Sequence, residues 1–208
     1  MHSLNPILHK KPPVIEVRKF LSESYLEYVW SELNKHRGTY SREGYNNKTT
    51  IRDSLDPRYC ETKVIDNPRS ILKRLWDKMW EGLYGTFESH GDYTFRHSLY
   101  TISGTTLLSH YGDSDGYGEH IDVDMGSIIT AVLMLSKYHD FEGGDLLIDG
   151  LSFPFESNKL IIFPSCVPHK VTKIRSSSNR YLGDRFTLQN FVSAVPPKIQ
   201  LIDESGNI

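Results

Sequence analysis

Residues 111–135 read YGDSDGYGEHIDVDMGSIITAVLML. A run of Gly, Asp and Ser leads into a short strand candidate, Glu119–Val123, and after a turn an apolar strand candidate follows at Ile128–Leu135. The same texture continues in both directions. Upstream lie Phe95–Ile102 and Thr105–Tyr111; downstream lie Asp145–Ile148, Leu151–Phe155, Lys159–Phe163, His169–Ile174 and Arg185–Val192, each bounded by Gly, Ser, Asp or Pro. Many short strands at regular spacing predict a closed or sandwiched antiparallel sheet over residues 95–195.

Toward the N-terminus the period changes. Tyr25, Leu26, Val29, Trp30 and Leu33 form one apolar stripe, which predicts a helix from Ser22 to His36 with Ser22 as N-cap and Gly38 as its stop. Residues 38–60 are polar and lack helical period, so they read as a long loop with a short strand candidate at Thr49–Arg52. Asn67 and Pro68 then open a second helix as N-cap and first helical residue, with a stripe running from Ile71 through Leu75, Trp76, Met79 and Leu83 to Phe87, ended by Gly91. Such a stripe is core packing and is assigned no chemistry. Residues 1–13 and 196–208 read as poorly ordered tails. One domain over residues 14–195 is expected, with helical support across residues 20–90.

Composition bounds the function. The chain has 208 residues, 24 Lys+Arg against 26 Asp+Glu, 9 His and 2 Cys. A net charge of −2 argues against binding nucleic acid or an anionic membrane through bulk electrostatics. No apolar run is long enough for a membrane span, and MHSLNPILHKKPP lacks the apolar segment of a signal peptide. Cys60 and Cys166 make no CxxC, which excludes a disulfide scaffold or a cysteine-ligated zinc site and makes a reducing, cytoplasmic setting the default.

The histidines are the unusual item. His120 and Asp122 stand two residues apart on a predicted strand, so both side chains share one face. Alone, an HxD pair is often a surface pair or a satisfied histidine. Further on, KLIIFPSCVPHKV places His169 after an apolar strand and a proline-containing turn. His120, Asp122 and His169 are the ingredients of a two-histidine, one-carboxylate facial triad, which suits non-haem Fe(II) and leaves positions for a bidentate cosubstrate and O₂. Arg185 on the last strand offers a cation to an anionic cosubstrate, and Thr187 shares its face. An ordinary surface charge is the competing reading of Arg185.

The order Tyr111…His120-x-Asp122, then SIITAVLMLS, FEGGDLLI, KLIIFPS…His169-KV and Gly183-x-Arg185-x-Thr187 resembles the 2-oxoglutarate/Fe(II) dioxygenase superfamily. Within it the prolyl 4-hydroxylase-like branch, with its small bacterial and viral members, is the nearest match, over residues 14–195. The resemblance implies a double-stranded β-helix, or jelly roll, supported by two or more α-helices. It implies that His120, Asp122 and His169 ligate Fe(II), that Arg185 and Thr187 bind the C5 carboxylate of 2-oxoglutarate, and that Tyr111 bonds the cosubstrate nearer the metal. O₂ is the second cosubstrate and ascorbate a candidate addition. No catalytic side chain beyond the metal centre is expected. Tyr40, Tyr45 and Arg52 are substrate-loop candidates by analogy.

Two features depart from the family pattern. Met134 stands where some members carry a tyrosine, and RSSSNRYLGD lengthens the interval between His169 and Arg185, making Arg180 a competitor for the anion-binding role. His110 and Asp124 are candidates for indirect support of the site, with structural roles as the alternative; Gly143-Gly144 reads as a tight turn. The implied activity is hydroxylation of a C–H bond, with a peptidyl proline first among substrates and succinate and CO₂ as co-products. The same chemistry on another residue or small molecule, or a cupin-type metal-binding module, are the alternatives. A nucleic-acid demethylase is disfavoured because Phe191 stands where such enzymes carry a second arginine.

Overall fold

The computed structural model describes residues 12–37, 58–65, 67, 69–77, 101–123, 126–176 and 180–194. It begins with strand β1 (Ile15–Arg18) and helix α1 (Glu23–Lys35). Ser22 is the N-cap, its hydroxyl accepting from the Tyr25 N–H, and Leu26, Val29 and Leu33 are buried along one face. The second helix, α2, covers residues 71–77 among those described. It starts later than its sequence signals suggest: the Asn67 side chain caps a turn by accepting from the Arg69 N–H, and Ser70 supplies the first helical acceptor, to the Arg74 N–H.

The strands are β2 (Arg58–Tyr59), β3 (Glu61–Val64), β4 (Thr101–Tyr111), β5 (Gly116–His120), β6 (Ser127–Met134), β7 (Phe141–Gly143), β8 (Leu146–Ile148), β9 (Leu151–Phe153), β10 (Lys159–Pro164), β11 (His169–Val171), β12 (Ile174–Ser176) and β13 (Arg185–Ala194). They form a six-stranded sheet in the order β1-β10-β6-β13-β4-β3, a five-stranded sheet in the order β2-β5-β11-β8-β9, and the pair β12-β7, with every pairing antiparallel. This is the jelly roll with helical support.

Period-two alternation divides the large sheet between two cores. Leu108, Ile129, Ala131, Leu133, Leu160, Ile162, Phe186, Leu188 and Val192 face the helices and pack with Leu26, Val29, Leu33, Leu72, Leu75 and Trp76. Their neighbours Tyr111, Val132, Met134, Ile161 and Phe163 face the other way and pack with Leu146, Ile148 and Val171 of the smaller sheet. Trp30 of α1 donates its indole N–H to the Leu135 carbonyl at 2.7 Å, pinning the helix to the end of β6.

Several sequence expectations shift. Thr101–Tyr111 is one strand rather than two separated near Gly104, because its pairing with β13 carries through that point. The predicted strand Glu119–Val123 is instead Gly116–His120, so Asp122 lies beyond the strand end. Arg58–Tyr59 is a strand inside the segment read as loop. β1, β3 and β7 were not predicted, and the predicted strand His169–Ile174 is two, β11 and β12, which belong to different sheets. The expected Thr49–Arg52 strand, the stop at Gly38, Asp124, the C-terminal tail and residues 1–11 of the N-terminal one fall outside the described residues. No helix among the described residues is long and apolar enough to cross a membrane.

Candidate metal centre and anion pocket

His120 ends β5 and His169 begins β11, and the two are direct partners in the antiparallel pairing. Asp122 reaches the same place without strand geometry. Its N–H bonds to the Ser165 carbonyl at 2.8 Å, which folds the chain after His120 across the turn that precedes His169. Asp122 Oδ2 lies 3.1 Å from His169 Nε2, and Oδ1 lies 3.5 Å from His120 Nε2. One ligand atom from each of the three falls within 4.8 Å of the others.

Each imidazole is oriented from behind. His120 Nδ1 is 2.8 Å from the Gly118 carbonyl, and His169 Nδ1 is 3.0 Å from the Val167 carbonyl. A carbonyl can only accept, so Nδ1 carries the proton and Nε2 is left to coordinate. Tyr117 stacks on the His120 ring with centroids 3.7 Å apart, and Phe163 meets the His169 ring edge-on at 4.8 Å. The Thr130 hydroxyl donates to Asp122 Oδ2 at 2.8 Å and lies 3.0 Å from Ser165 Oγ. Burial acts to raise the Asp122 pKa, but the two imidazoles outweigh it and hold the carboxyl well below the usual carboxylate range. Two imidazole nitrogens and one carboxylate make a donor set that fits a first-row divalent metal.

Thr130 and Ser165 escaped the sequence reading. Thr130 sits in an otherwise apolar strand, and the available signal was its parity: it shares the inward face with Val132 and Met134.

The second half of the site is a buried cation. Arg185 is fully buried at the start of β13. Its Nε donates to the Gly144 carbonyl at 2.8 Å, and its Cζ lies 4.5 Å from the centre of the Tyr111 ring. Nη1, Nη2 and the Tyr111 hydroxyl are buried and have no hydrogen-bond partner among the described residues. Burial lowers the Arg185 pKa, opposed by Tyr111 and Cys60, yet a guanidinium starts so high that it stays charged. Burial likewise pushes the Tyr111 pKa up, so the phenol keeps its proton. Unanswered buried donors around a retained charge are costly in isolation and fit an anionic group. Cys60, given no role from sequence, is buried beside Tyr111.

Gly144 makes this arrangement possible. Its φ is +70°, and a Cβ there would stand 2.8 Å from Arg185 Cδ. The Gly-Gly turn expected from sequence therefore has a consequence for the site. Thr187, fully buried, is the next inward residue after Arg185 and pairs with Met134 and Ser109.

Arg180 is elsewhere. It is exposed, and its guanidinium donates to both Asp140 oxygens, at 2.8 and 2.6 Å, while lying over the Tyr138 ring. His110 is also outside the centre: it pairs with Asp184 at 3.0 Å and stacks on Phe186, whose side chain belongs to the helix-facing core. Met134 lines the inner face, its sulfur accepting from the Glu156 N–H. Tyr40, Tyr45 and Arg52 lie outside the described residues.

A family profile described as the 2OG-Fe(II) oxygenase superfamily matches residues 106–193, a span containing all three candidate ligands and Arg185. A PKHD-type hydroxylase of Colwellia psychrerythraea is 28% identical over 120 residues, covering 50% of this chain and 51% of that protein. A PKHD-type hydroxylase of Picosynechococcus is 33% identical over 78 residues, covering 34% and 36%. The matched segments thus span about half of the first relative's length and about a third of the second's. Among solved structures, a prolyl-4-hydroxylase of Pseudomonas putida superposes with a TM-score of 0.65 at 18% identity, covering 89% of this chain and 94% of that one. The viral collagen prolyl hydroxylase of Paramecium Bursaria Chlorella virus-1 gives 0.58 at 13% identity, covering 88% and 96%. The family's description supplies its metal and cosubstrate, Fe(II) and 2-oxoglutarate, and the donor set and buried guanidinium fit both. Residues 106–193 are thus similar to the 2OG-Fe(II) oxygenase superfamily, and the chain has the fold of the solved prolyl hydroxylases.

Proposed function

We propose that this protein is an Fe(II)- and 2-oxoglutarate-dependent dioxygenase that hydroxylates an unactivated C–H bond, with a peptidyl proline as the first candidate substrate. The observation that carries the reading is the pairing of a three-ligand cluster with a fully buried arginine whose Nη atoms have no partner among the described residues, inside one jelly roll.

In this reading His120, Asp122 and His169 hold Fe(II) through Nε2, a carboxylate oxygen and Nε2. Bound Fe(II), with 2-oxoglutarate and O₂, supplies the oxidising power for hydroxylation, with succinate and CO₂ as co-products. Arg185 binds the far carboxylate of 2-oxoglutarate through its two free Nη atoms, a bidentate geometry that a lysine does not offer. Thr187 contributes a hydroxyl from the same strand face, and Tyr111 a phenol that stays protonated. Phe163 and Tyr117 fix the imidazole planes and exclude water from behind the ligands.

A peptide substrate is supported by the PKHD-type hydroxylase relatives, the prolyl hydroxylase-like fold and a net charge of −2, which suits a polyanion poorly. The test is succinate release with Fe(II), 2-oxoglutarate and O₂ over a pool of proteome-derived peptides, read by mass spectrometry for a one-oxygen gain on proline. The gain on another residue would keep the chemistry and replace the substrate. No turnover with any pool, with metal binding still lost in His120→Ala, would reduce the protein to a cupin-type metal-binding module.

A further inference from the structure

Gln189 is the next inward residue of β13 after Arg185 and Thr187, and it is buried. A buried amide needs partners for both its ends. Ser109 Oγ donates to Gln189 Oε1 at 2.9 Å, and Gln189 Nε2 donates to Thr187 Oγ1 at 3.1 Å. Ser109 and Thr187 are themselves fully buried, and they pair directly across β4 and β13, so the strand register holds all three side chains together.

This chain of hydrogen bonds has a direction. A hydroxyl has one hydrogen to give and two lone pairs to offer. The Ser109 hydrogen goes to the amide oxygen, and the amide hydrogen goes to the Thr187 oxygen. The Thr187 hydrogen is left over, and no acceptor for it is found among the described residues. Its neighbour one step along the strand face is the guanidinium, whose two Nη atoms have no partner among the described residues.

We propose that Gln189, held by Ser109, is a positioning residue that fixes the Thr187 hydroxyl as a donor to the distal carboxylate of 2-oxoglutarate. The inference rests on the reading that Arg185 and Thr187 bind that carboxylate. An amide suits the role because it accepts at one end and donates at the other. A carboxylate at the same place accepts at both ends and draws the Thr187 hydrogen to itself. An apolar side chain leaves the hydroxyl free to rotate away.

The test compares two ligands on Mn(II)-loaded protein by calorimetric titration: 2-oxoglutarate, and 2-oxopentanoate, which lacks the distal carboxylate. Gln189→Leu should raise the Kd for 2-oxoglutarate about tenfold, the worth of one hydrogen bond to a charged group, and leave 2-oxopentanoate within about twofold. Thr187→Val should give the same pattern, and the double variant no further loss, because the two act as one unit. Gln189→Glu should bind 2-oxoglutarate more weakly than Gln189→Leu. Unchanged or tighter 2-oxoglutarate binding in Gln189→Leu, or equal losses for both ligands, overturns the proposal. If Gln189→Leu does not fold, by circular dichroism and thermal melting, Ser109→Ala decides: a selective loss for 2-oxoglutarate supports the relay and an unchanged Kd overturns it. The carboxylate reading fails separately, if Arg185→Met binds 2-oxoglutarate as the wild type does.

Discussion

Arg185 and Tyr111 are direct partners across β13 and β4, and the guanidinium carbon lies 4.5 Å from the centre of the phenol ring. The pairing puts a buried, poorly compensated cation against an aromatic face, with a buried hydroxyl beside it. An aromatic ring tolerates a cation but does not satisfy its N–H groups. The guanidinium is therefore a buried charge whose Nη groups have donors to offer an anion.

Arg185→Met should accordingly separate stability from binding. Removing a poorly compensated buried charge in favour of an apolar side chain of similar volume is expected to leave the melting temperature of the ligand-free protein unchanged or higher. Losing the charged contact should weaken 2-oxoglutarate binding by about 2–5 kcal/mol. Arg180→Ala should leave that binding unchanged, since its partner is Asp140 at the surface. Differential scanning calorimetry with and without 2-oxoglutarate reads both; an effect of Arg180→Ala equal to that of Arg185→Met would move the anion site.

Gly144→Ala tests how the arginine is held. Gly144 and Gly150 both have positive φ, +70° and +76°, but a Cβ at Gly144 meets Arg185 Cδ at 2.8 Å and one at Gly150 meets nothing within 4 Å. Gly150→Ala should cost only the backbone strain, about 1 kcal/mol. Gly144→Ala should cost more and also raise the Michaelis constant for 2-oxoglutarate. Equal melting temperatures and equal constants for the two variants would show that Gly144 does not shape the pocket.

Thr130→Val removes a donor to Asp122 while keeping its shape. The expected outcome is a fall of about tenfold to a hundredfold in metal affinity, as for other groups that support a metal ligand from behind, with little change in folding. Competition with a chromogenic chelator measures it. Chelation should abolish activity in wild type and variant alike, and a Thr130→Val affinity indistinguishable from wild type would make this hydroxyl structural.

Asn158 carries a stability prediction separate from the candidate ligands. Its φ is +63°, and its side chain bonds both the N–H and the carbonyl of Leu21, at 2.7 and 2.8 Å. Asn158→Gly keeps the backbone conformation and strands the two Leu21 groups, for a loss of about 3 kcal/mol in chemical denaturation. Asn158→Ala adds the strain of a left-handed alanine. If the glycine variant denatures like wild type, the clamp carries no stability.

The legible part of the sequence was the part governed by local chemistry. The α1 stripe and its Ser22 cap, the inner-strand alternation and the positions of His120, His169 and Arg185 all follow from spacing and residue type. Asp122 shared a side with His120 for a different reason from the one its spacing suggested: the strand ends, and a backbone bond to Ser165 restores the alignment. That contact is long-range and has no local signature. The same holds for Thr130 behind Asp122, for Gly144 beneath Arg185 and for β1, whose place is set by pairing with β10. Arg180 and Arg185 could not be separated by residue type alone; Gly-x-Arg-x-Thr opening a strand favoured Arg185, and burial and the Asp140 pairing of Arg180 separate them.

The interleaving of β13 means that folding and chemistry are inherited on alternate letters of one short word. Phe186 and Leu188 answer to the helix-facing core, while Arg185, Thr187 and Gln189 answer to the pocket. Substitutions can drift in one set without disturbing the other, so substrate handling and thermal tolerance are free to diverge among descendants of this chain. A single-residue deletion in the same stretch has no such latitude: it exchanges the two sets and forfeits both properties together.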